Sequence, residues 1–199
     1  MILVMVVTAI DRSRATDYED KGLAGDMASG DIIVRQVPGN NSMCEAYFQR
    51  KMFKCSLGKN GVVDSSKVEG DGKTPIGRYP FRQVFYRSDR VDKPVTILNT
   101  MSLAITDGWC DEPSDANYNR YVSLPYPSSH EDLYRDDDLY DIITVIGYND
   151  DPVVTSKGSA IFMHITKDYG STAGCIAFHL ADLEFILAHV TEDSHIAIS

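Results

Sequence analysis

Short β-rich segments separated by strong turn signals make up most of this sequence, and they constrain its fold more than any other feature. Runs rich in β-branched and aromatic residues occur at 32–37, 46–48, 51–55, 79–87, 95–98, 103–106, 142–146, 160–163 and 195–198. Clusters of Gly, Pro and Asn, such as residues 38–41, lie between them. This pattern predicts a mainly β domain, built as a sandwich or a partly closed barrel.

A single segment has a convincing helical period. Leu180, Leu183, Ile186, Leu187 and Val190 fall on one face of a helix. One apolar face predicts a helix packed against the sheet, and we expect one or two such helices at its flank. The apolar runs 142–146 and 160–163 lack alternation, which predicts strands buried on both faces.

The first thirty residues differ from the rest of the chain. Residues 1–10 are apolar and have the length of a signal-peptide core, but no basic residue precedes them and Asp11 and Arg12 follow at once. Residues 13–30 are polar and show no apolar period. We therefore expect 1–30 to be a poorly ordered extension and 31–199 to form one domain. A cleaved export signal is the alternative.

Charge excludes some functions. The 199 residues carry a net charge of −10, which disfavours a duplex nucleic-acid binder. No apolar stretch approaches the roughly 18 residues of a membrane span. Residues 50–93 hold 11 basic and 5 acidic residues, whereas 94–199 hold 4 and 17. The basic segment could bind an anionic small ligand or form a solvated, Lys-rich sheet edge.

The four cysteines form no C-x-x-C pair and are too few for a disulfide framework. Cys44, Cys55 and Cys110 are interpreted as structural. Cys175 is different because Gly174 precedes it and His164 lies eleven residues upstream, at the end of an apolar run. A return between two strands could set the imidazole opposite the thiol, where ion-pair formation would lower the pKa of Cys175.

This spacing predicts cysteine acyl-transfer chemistry, with the N–H groups of Gly174 and Cys175 as oxyanion donors. Two alternatives remain open from the residues alone. Both side chains could be ordinary core residues. A zinc site formed by His164, Cys175 and His179 is also conceivable, although it lacks a recognisable fourth ligand.

Three segments, in this order, resemble the L,D-transpeptidase catalytic domain (the YkuD-like family). They are 72–81 (GKTPIGRYPF), 158–164 (GSAIFMH) and 172–175 (TAGC). The resemblance covers about residues 50–199. It implies attack on the carbonyl that links an L-configured diamino-acid centre to D-Ala in a peptidoglycan tetrapeptide stem. Cys175 would be the nucleophile, His164 the general base, and Gly174 part of the oxyanion hole.

The chain departs from the family pattern at three positions, and at one of them Ile165 follows His164 where the family has Gly. Ala173 stands where a His usually precedes the Gly, and Ala177 stands where an Arg often follows the Cys. The sequence also resembles a branch of the family that acts as cytoplasmic L,D-carboxypeptidases in muropeptide recycling, and this is the favoured interpretation. Periplasmic crosslinking by transpeptidation and a non-catalytic muropeptide-binding module are the alternatives.

Residues 107–138 form a long, acidic, aromatic stretch without regular periodicity, which we interpret as a lid or a substrate wall. The candidate substrate-binding residues are Trp109, Tyr118, Asn119, Arg120, Arg78, Ser171 and Thr172. The expected partner is a peptidoglycan stem peptide or a soluble muropeptide. No cofactor and no metal are expected, and the oligomeric state is left open.

Overall fold

A computed structural model describes residues 30–199, so the predicted extension lies outside the described residues apart from Gly30. The strands are β1 (Ile32–Gln36), β2 (Met43–Phe48), β3 (Lys51–Ser56), β4 (Val62–Val63), β5 (Thr74–Pro75), β6 (Gly77–Tyr86), β7 (Thr100–Ser102), β8 (Asp107–Cys110), β9 (Arg120–Ser123), β10 (His130–Asp132), β11 (Ile142–Ile146), β12 (Phe162–Ile165), β13 (Ile176–Phe178) and β14 (His195–Ile198). The helix α1 spans Leu180–His189, and a short 3-10 turn spans Asp138–Tyr140.

Eight strands close into a barrel. Their spatial order is β11, β12, β13, β3, β2, β1, β14 and β6, and β6 then pairs with β11. The ten residues of β6 make this closure possible, because residues 77–80 pair with β14 and residues 81–86 pair with β11. Strand β7 adds to β6 as an edge. The predicted mainly β fold is confirmed, and the barrel is closed.

Strand β11 is buried along its whole length, as its unbroken apolar run predicts. Ile142 and Ile146 belong to an apolar cluster that includes the inner face of α1. Ile143 and Val145, on the opposite face, belong to a second cluster that includes Cys175. The second predicted buried strand lies two residues later than expected, at Phe162–Ile165.

Two predicted strands are absent. Residues 95–98 form no strand, and residues 103–106 form the connection between β7 and β8. Val95 and Ile105 are 78% and 76% exposed, so neither segment has the buried face that stabilises a strand. The stretch 107–138 is also more regular than predicted, because it contains the three-stranded sheet β10-β8-β9.

The β2–β3 hairpin is confirmed. Gln49 and Arg50 form its two-residue turn, with φ values of 49° and 61°, the left-handed conformation that tight hairpins favour. Cys44 lies directly opposite Cys55 in this hairpin, and the two form a disulfide. The sequence did not predict this bond, because opposition across two strands follows from the register and not from cysteine spacing.

The helix α1 is confirmed and buries Leu183, Ile186 and Leu187. Among the described residues, no helix is long and apolar enough to span a membrane.

Candidate active site

His164 and Cys175 lie on neighbouring parallel strands of the barrel. In β12, His164 is opposite Ala177 of β13, and Cys175 comes immediately before β13. Side chains alternate between the faces of a strand, so Cys175, two residues before Ala177, lies on the same face as His164. The parallel register therefore brings the two side chains to one face, diagonally and not directly opposite each other.

Both residues line a cavity of about 860 Å³. Ser171, Thr172 and Gly174 form the part of its wall that leads into Cys175. Several residues between 111 and 138 line it too, which places part of the predicted substrate wall at the site. The cavity falls within the range typical of ligand sites.

The Cys175 thiol is buried, and its sulfur takes part in two hydrogen bonds. It donates a hydrogen bond to the carbonyl oxygen of Ala160 at 3.2 Å, and the N–H of Phe162 donates to Sγ at 3.4 Å. Burial and then the charge of Glu131 raise the pKa of Cys175 to about 12. The resting group near neutral pH is therefore a thiol, which differs from the low-pKa thiolate that the sequence predicts.

His164 is also buried, and its ring is fixed on two sides. Nδ1 lies 2.8 Å from the carbonyl oxygen of Ile165, and the Tyr140 ring packs edge-on at 5.2 Å. A carbonyl oxygen only accepts, so the short contact to Ile165 favours the tautomer that carries its proton on Nδ1 and can accept a proton at Nε2. The backbone of Leu139 also forms a hydrogen bond to the ring. Burial lowers the pKa of His164 to about 4. The imidazole is thus neutral near pH 7.

Position 174 requires glycine because of its backbone conformation and because neighbouring atoms leave no room for a Cβ. Its φ is +151°, and a Cβ there would lie 2.9 Å from the carbonyl oxygen of Lys73 and 3.1 Å from a methyl carbon of Ile161. Thr172 fastens the turn, since its Oγ1 accepts from the Gly174 N–H and donates to the Cys175 carbonyl. The Gly174 N–H therefore already has a partner, in contrast to its predicted role as a free oxyanion donor.

Two polar side chains that residue type and spacing did not suggest, Tyr140 and Glu131, lie beside the Cys175–His164 pair. Tyr140 donates a hydrogen bond from its hydroxyl to Glu131 at 2.5 Å, and the Arg135 guanidinium lies 4.9 Å from the Tyr140 ring centre. Burial raises the pKa of Glu131. Glu131 and Arg135 fall within the stretch 107–138, which the sequence marked as a functional wall without singling out these residues.

The basic segment also reaches the site. Lys59 and Lys67 line the cavity, and the backbone of Lys73 packs against Gly174. Lys67 is buried and forms an ion pair with Asp71 at 2.7 Å. Its positive charge lowers the pKa of Cys175, although burial has the larger, opposite effect. The basic segment thus supplies part of the cavity wall.

The other candidate binding residues lie elsewhere. Trp109, Asn119 and Arg120 line a second cavity. The buried Tyr118 hydroxyl donates to Glu69 at 2.5 Å and accepts from the Gly158 N–H, which makes it part of the scaffold. Arg78 forms an ion pair with Asp31 at 2.7 Å and does not line the Cys175 cavity.

The Asn119 side chain hydrogen-bonds to other parts of the protein through both its oxygen and its nitrogen. Its Oδ1 accepts from Trp109 Nε1 at 2.9 Å and from the Ala160 N–H at 3.0 Å. Its Nδ2 donates to the carbonyl oxygens of Tyr148 and Asn149. The amide thereby holds Ala160, whose carbonyl receives the Cys175 thiol.

Within residues 30–199, no group of three or more His, Cys, Asp or Glu side chains is arranged to hold a metal ion. His164 and Cys175 are accordingly not joined by His179 in a zinc site. His179 instead packs its ring against Tyr169, with 4.5 Å between the centroids.

Comparison with known protein families gave one match. The model of the L,D-transpeptidase catalytic domain (YkuD) matches residues 40–198. The chain belongs to the L,D-transpeptidase catalytic domain family. The matched range contains both cavities, the whole barrel except its first strand, and both residues of the Cys175–His164 pair. Searches of curated proteins and of solved structures gave no match.

Membership places the protein among the L,D-transpeptidase-family enzymes, which act on peptidoglycan. Within such a domain, the cavity at Cys175 is the candidate active site. The combination of a thiol, a neutral imidazole and a Gly-containing turn can support acyl transfer through a thioester.

Proposed function

We propose that the protein is a cysteine-dependent L,D-carboxypeptidase. It cleaves the bond between the L-configured centre of the third residue and the terminal D-Ala of a peptidoglycan tetrapeptide stem. The observation that carries the proposal is the placement of the Cys175 thiol and the Nε2 of a neutral His164 in one cavity. Family membership supplies the substrate class.

In the first step, the Cys175 sulfur attacks the scissile carbonyl while its proton passes to Nε2 of His164. A thiol with a pKa of about 12 needs this transfer, and an imidazole that is neutral at pH 7 can accept the proton. The imidazolium then protonates the departing amine. The C–N bond breaks, D-Ala leaves, and the acyl group remains on sulfur as a thioester.

In the second step, His164 accepts a proton from a water molecule that attacks the thioester. The C–S bond breaks, the tripeptide carboxyl is released, and the sulfur recovers its proton from the imidazolium. The Cys175 N–H is the proposed oxyanion donor, because Thr172 already occupies the Gly174 N–H.

Water is the favoured acceptor because two family positions that could handle charged groups are apolar here. Ala173 and Ala177 both line the cavity. Transpeptidation is the second candidate, and the Cys44–Cys55 disulfide favours it. Disulfides persist in oxidising compartments, where crosslinking takes place, and are rare in the cytoplasm. The cytoplasmic location that the sequence predicts is a separate proposal, and this disulfide argues against it.

The deciding experiment incubates the purified protein with a soluble disaccharide tetrapeptide and follows the products by mass spectrometry. We expect loss of one D-Ala per substrate and no product with Cys175→Ala. Cys110→Ser is the matched control, because Cys110 is the other free cysteine and does not line the cavity. A crosslinked dimer of the substrate would show that the protein is a transpeptidase and not a carboxypeptidase. If the unaltered protein gave no product, the enzyme proposal would be overturned in favour of a muropeptide-binding module.

A further inference from the structure

The proposed reaction brings a negative charge to a defined place beside His164. The imidazole protonates the departing D-Ala nitrogen, so that nitrogen must come within hydrogen-bond reach of Nε2. The free carboxylate of D-Ala is attached to the next carbon along, two bonds from the nitrogen. A tetrapeptide in the cavity therefore places a carboxylate close to His164, and a carboxylate taken out of water there needs a donor or a cation as its partner.

Arg135 is the cation that lies on this side of the cavity. Its guanidinium lies over the ring of Tyr140, with 4.9 Å from the central carbon to the ring centroid. The same ring packs against the His164 imidazole, with 5.2 Å between the centroids. All three residues line the Cys175 cavity. In agreement with this placement, the charge of Arg135 contributes to the lowered pKa of His164, although burial has the larger effect.

The Arg135 guanidinium is oriented and still has donors to offer. Nε and Nη2 donate to the two carboxylate oxygens of Asp137, at 2.9 Å and 2.5 Å. This side-on pair uses the N–H of Nε and one N–H of Nη2. The end-on edge, with one N–H from Nη1 and one from Nη2, forms no hydrogen bond within residues 30–199. That edge is a complete fork for a second carboxylate.

A ligand can reach this edge. The Arg135 side chain is 36% exposed and lines the cavity. The ion pair with Asp137 and the Tyr140 ring already hold the guanidinium, so little further ordering is needed when a carboxylate binds.

The lysines that line the same cavity are less suited to this role. Lys67 is buried and paired with Asp71 at 2.7 Å. Lys167 forms an ion pair with Asp138. Lys59 is exposed, and no hydrogen bond or ion pair among the described side chains orients its ammonium group. Arg135 thus combines a fixed orientation, access from the cavity and a position beside the ring that packs on His164.

We propose that Arg135 recognises the free terminal carboxylate of the substrate through the Nη1–Nη2 edge of its guanidinium. This inference rests on the proposed function, because it assigns one end of the tetrapeptide stem. Arg135 comes from the segment between β10 and β11 and supplies a guanidinium to a cavity in which Ala177 carries no charge. Recognition of this carboxylate restricts cleavage to stems whose D-Ala is the last residue and is not amidated.

The test compares two substrates that differ only at this carboxylate. One is the disaccharide tetrapeptide, and the other is the same molecule ending in D-alaninamide. Mass spectrometry of the released D-Ala or D-alaninamide gives kcat/KM for each with the full-length protein. We expect a value about tenfold higher for the acid, because the amide leaves the charge-assisted pair unmade.

Arg135→Gln should lower kcat/KM for the acid about tenfold relative to the amide and so remove the preference. Any effect of this variant on His164 or on the packing of Tyr140 acts on both substrates, so the ratio isolates the contact with the carboxylate. Arg50→Gln is the matched control and should keep the preference, since Arg50 is an exposed arginine that does not line the cavity. If Arg135→Gln does not fold, Arg135→Lys replaces it, because the lysine keeps the charge and loses the fork, which should reduce the preference.

A binding measurement separates this inference from the proposed activity. The same two peptides are titrated into Cys175→Ala by calorimetry, and we expect about tenfold tighter binding of the acid. Equal kcat/KM or equal affinity for acid and amide would overturn the inference, and so would an undiminished preference in the folded Arg135 variant. Tighter binding of the acid without turnover by the unaltered protein would support the inference and overturn the proposed function. Absence of binding by either peptide would overturn both.

Discussion

The Cys175 thiol donates a hydrogen bond to the carbonyl oxygen of Ala160 at 3.2 Å, and Ala160 has a φ of +51°. Few residues other than glycine adopt this left-handed conformation, and it is common at sites where the surrounding structure imposes it. Asn119 accepts a hydrogen bond from the Ala160 N–H at 3.0 Å in this conformation. The Cys175 sulfur is thus linked, through Ala160, to a residue more than fifty positions away in sequence.

The first prediction concerns the protonation of Cys175. Because its pKa is about 12, the thiolate fraction is small at neutral pH and rises about tenfold per pH unit below that pKa. Alkylation by iodoacetamide should therefore be slow at pH 7 and much faster at pH 9. Mass spectrometry of Cys110→Ser, which leaves Cys175 as the free cysteine, measures the rate. A rate that is already maximal at pH 7 would contradict the buried thiol.

The second prediction concerns Glu131. Its negative charge raises the pKa of Cys175, so Glu131→Gln should lower that pKa and speed alkylation about three- to tenfold at one pH. The Gln oxygen can still accept from the Tyr140 hydroxyl, which preserves the packing. Asp132→Asn is the control, since Asp132 is the exposed neighbour. Equal rates in the two variants would show that the Glu131 charge does not act on the thiol.

The third prediction concerns Gly174. A Cβ there meets the Lys73 backbone at 2.9 Å and adds strain at φ +151°, so Gly174→Ala should lower the free energy of unfolding by roughly 1–3 kcal/mol and reduce D-Ala release. Gly170→Ala serves as the control in the same loop, because a Cβ at Gly170 meets nothing within 4 Å. Denaturant titration and product analysis measure both effects. Similar behaviour of the two variants would count against the steric argument.

The fourth prediction concerns Asn119. Glycine tolerates the φ of +56° at this position, so Asn119→Gly removes the amide without adding backbone strain. Loss of the bonds to Ala160 and Trp109 should reduce kcat for D-Ala release, shift Trp109 emission and destabilise the fold by roughly 1–3 kcal/mol. Asn117→Gly, at an exposed position nearby, removes only a hydrogen bond to Tyr126 and should leave kcat and Trp109 emission unchanged. An unchanged kcat in Asn119→Gly would show that Asn119 does not position Cys175 for the reaction.

Much of the barrel could be predicted because its information is local. The unbroken apolar run of β11, the β2–β3 turn at Gln49 and Arg50, and the period of α1 each signal one element. Residues 95–98 and 103–106 carry the same β-type composition and yet form no strand. A strand needs a neighbour to pair with and a covered face, and neither requirement can be seen in a short window of sequence.

The sequence by itself determined the mainly β class, the order of the elements and the nomination of Cys175, His164 and Gly174, because residue type and spacing carry these. Only the tertiary structure decided the closure of β6 on β11, the burial that keeps the thiol protonated, and the addition of Glu131 and Tyr140 to the site. It also moved Trp109, Asn119 and Arg120 to a second cavity. The physical reason is that protonation and cavity walls depend on which distant side chains exclude water from a group, and that exclusion exists only once the chain has folded.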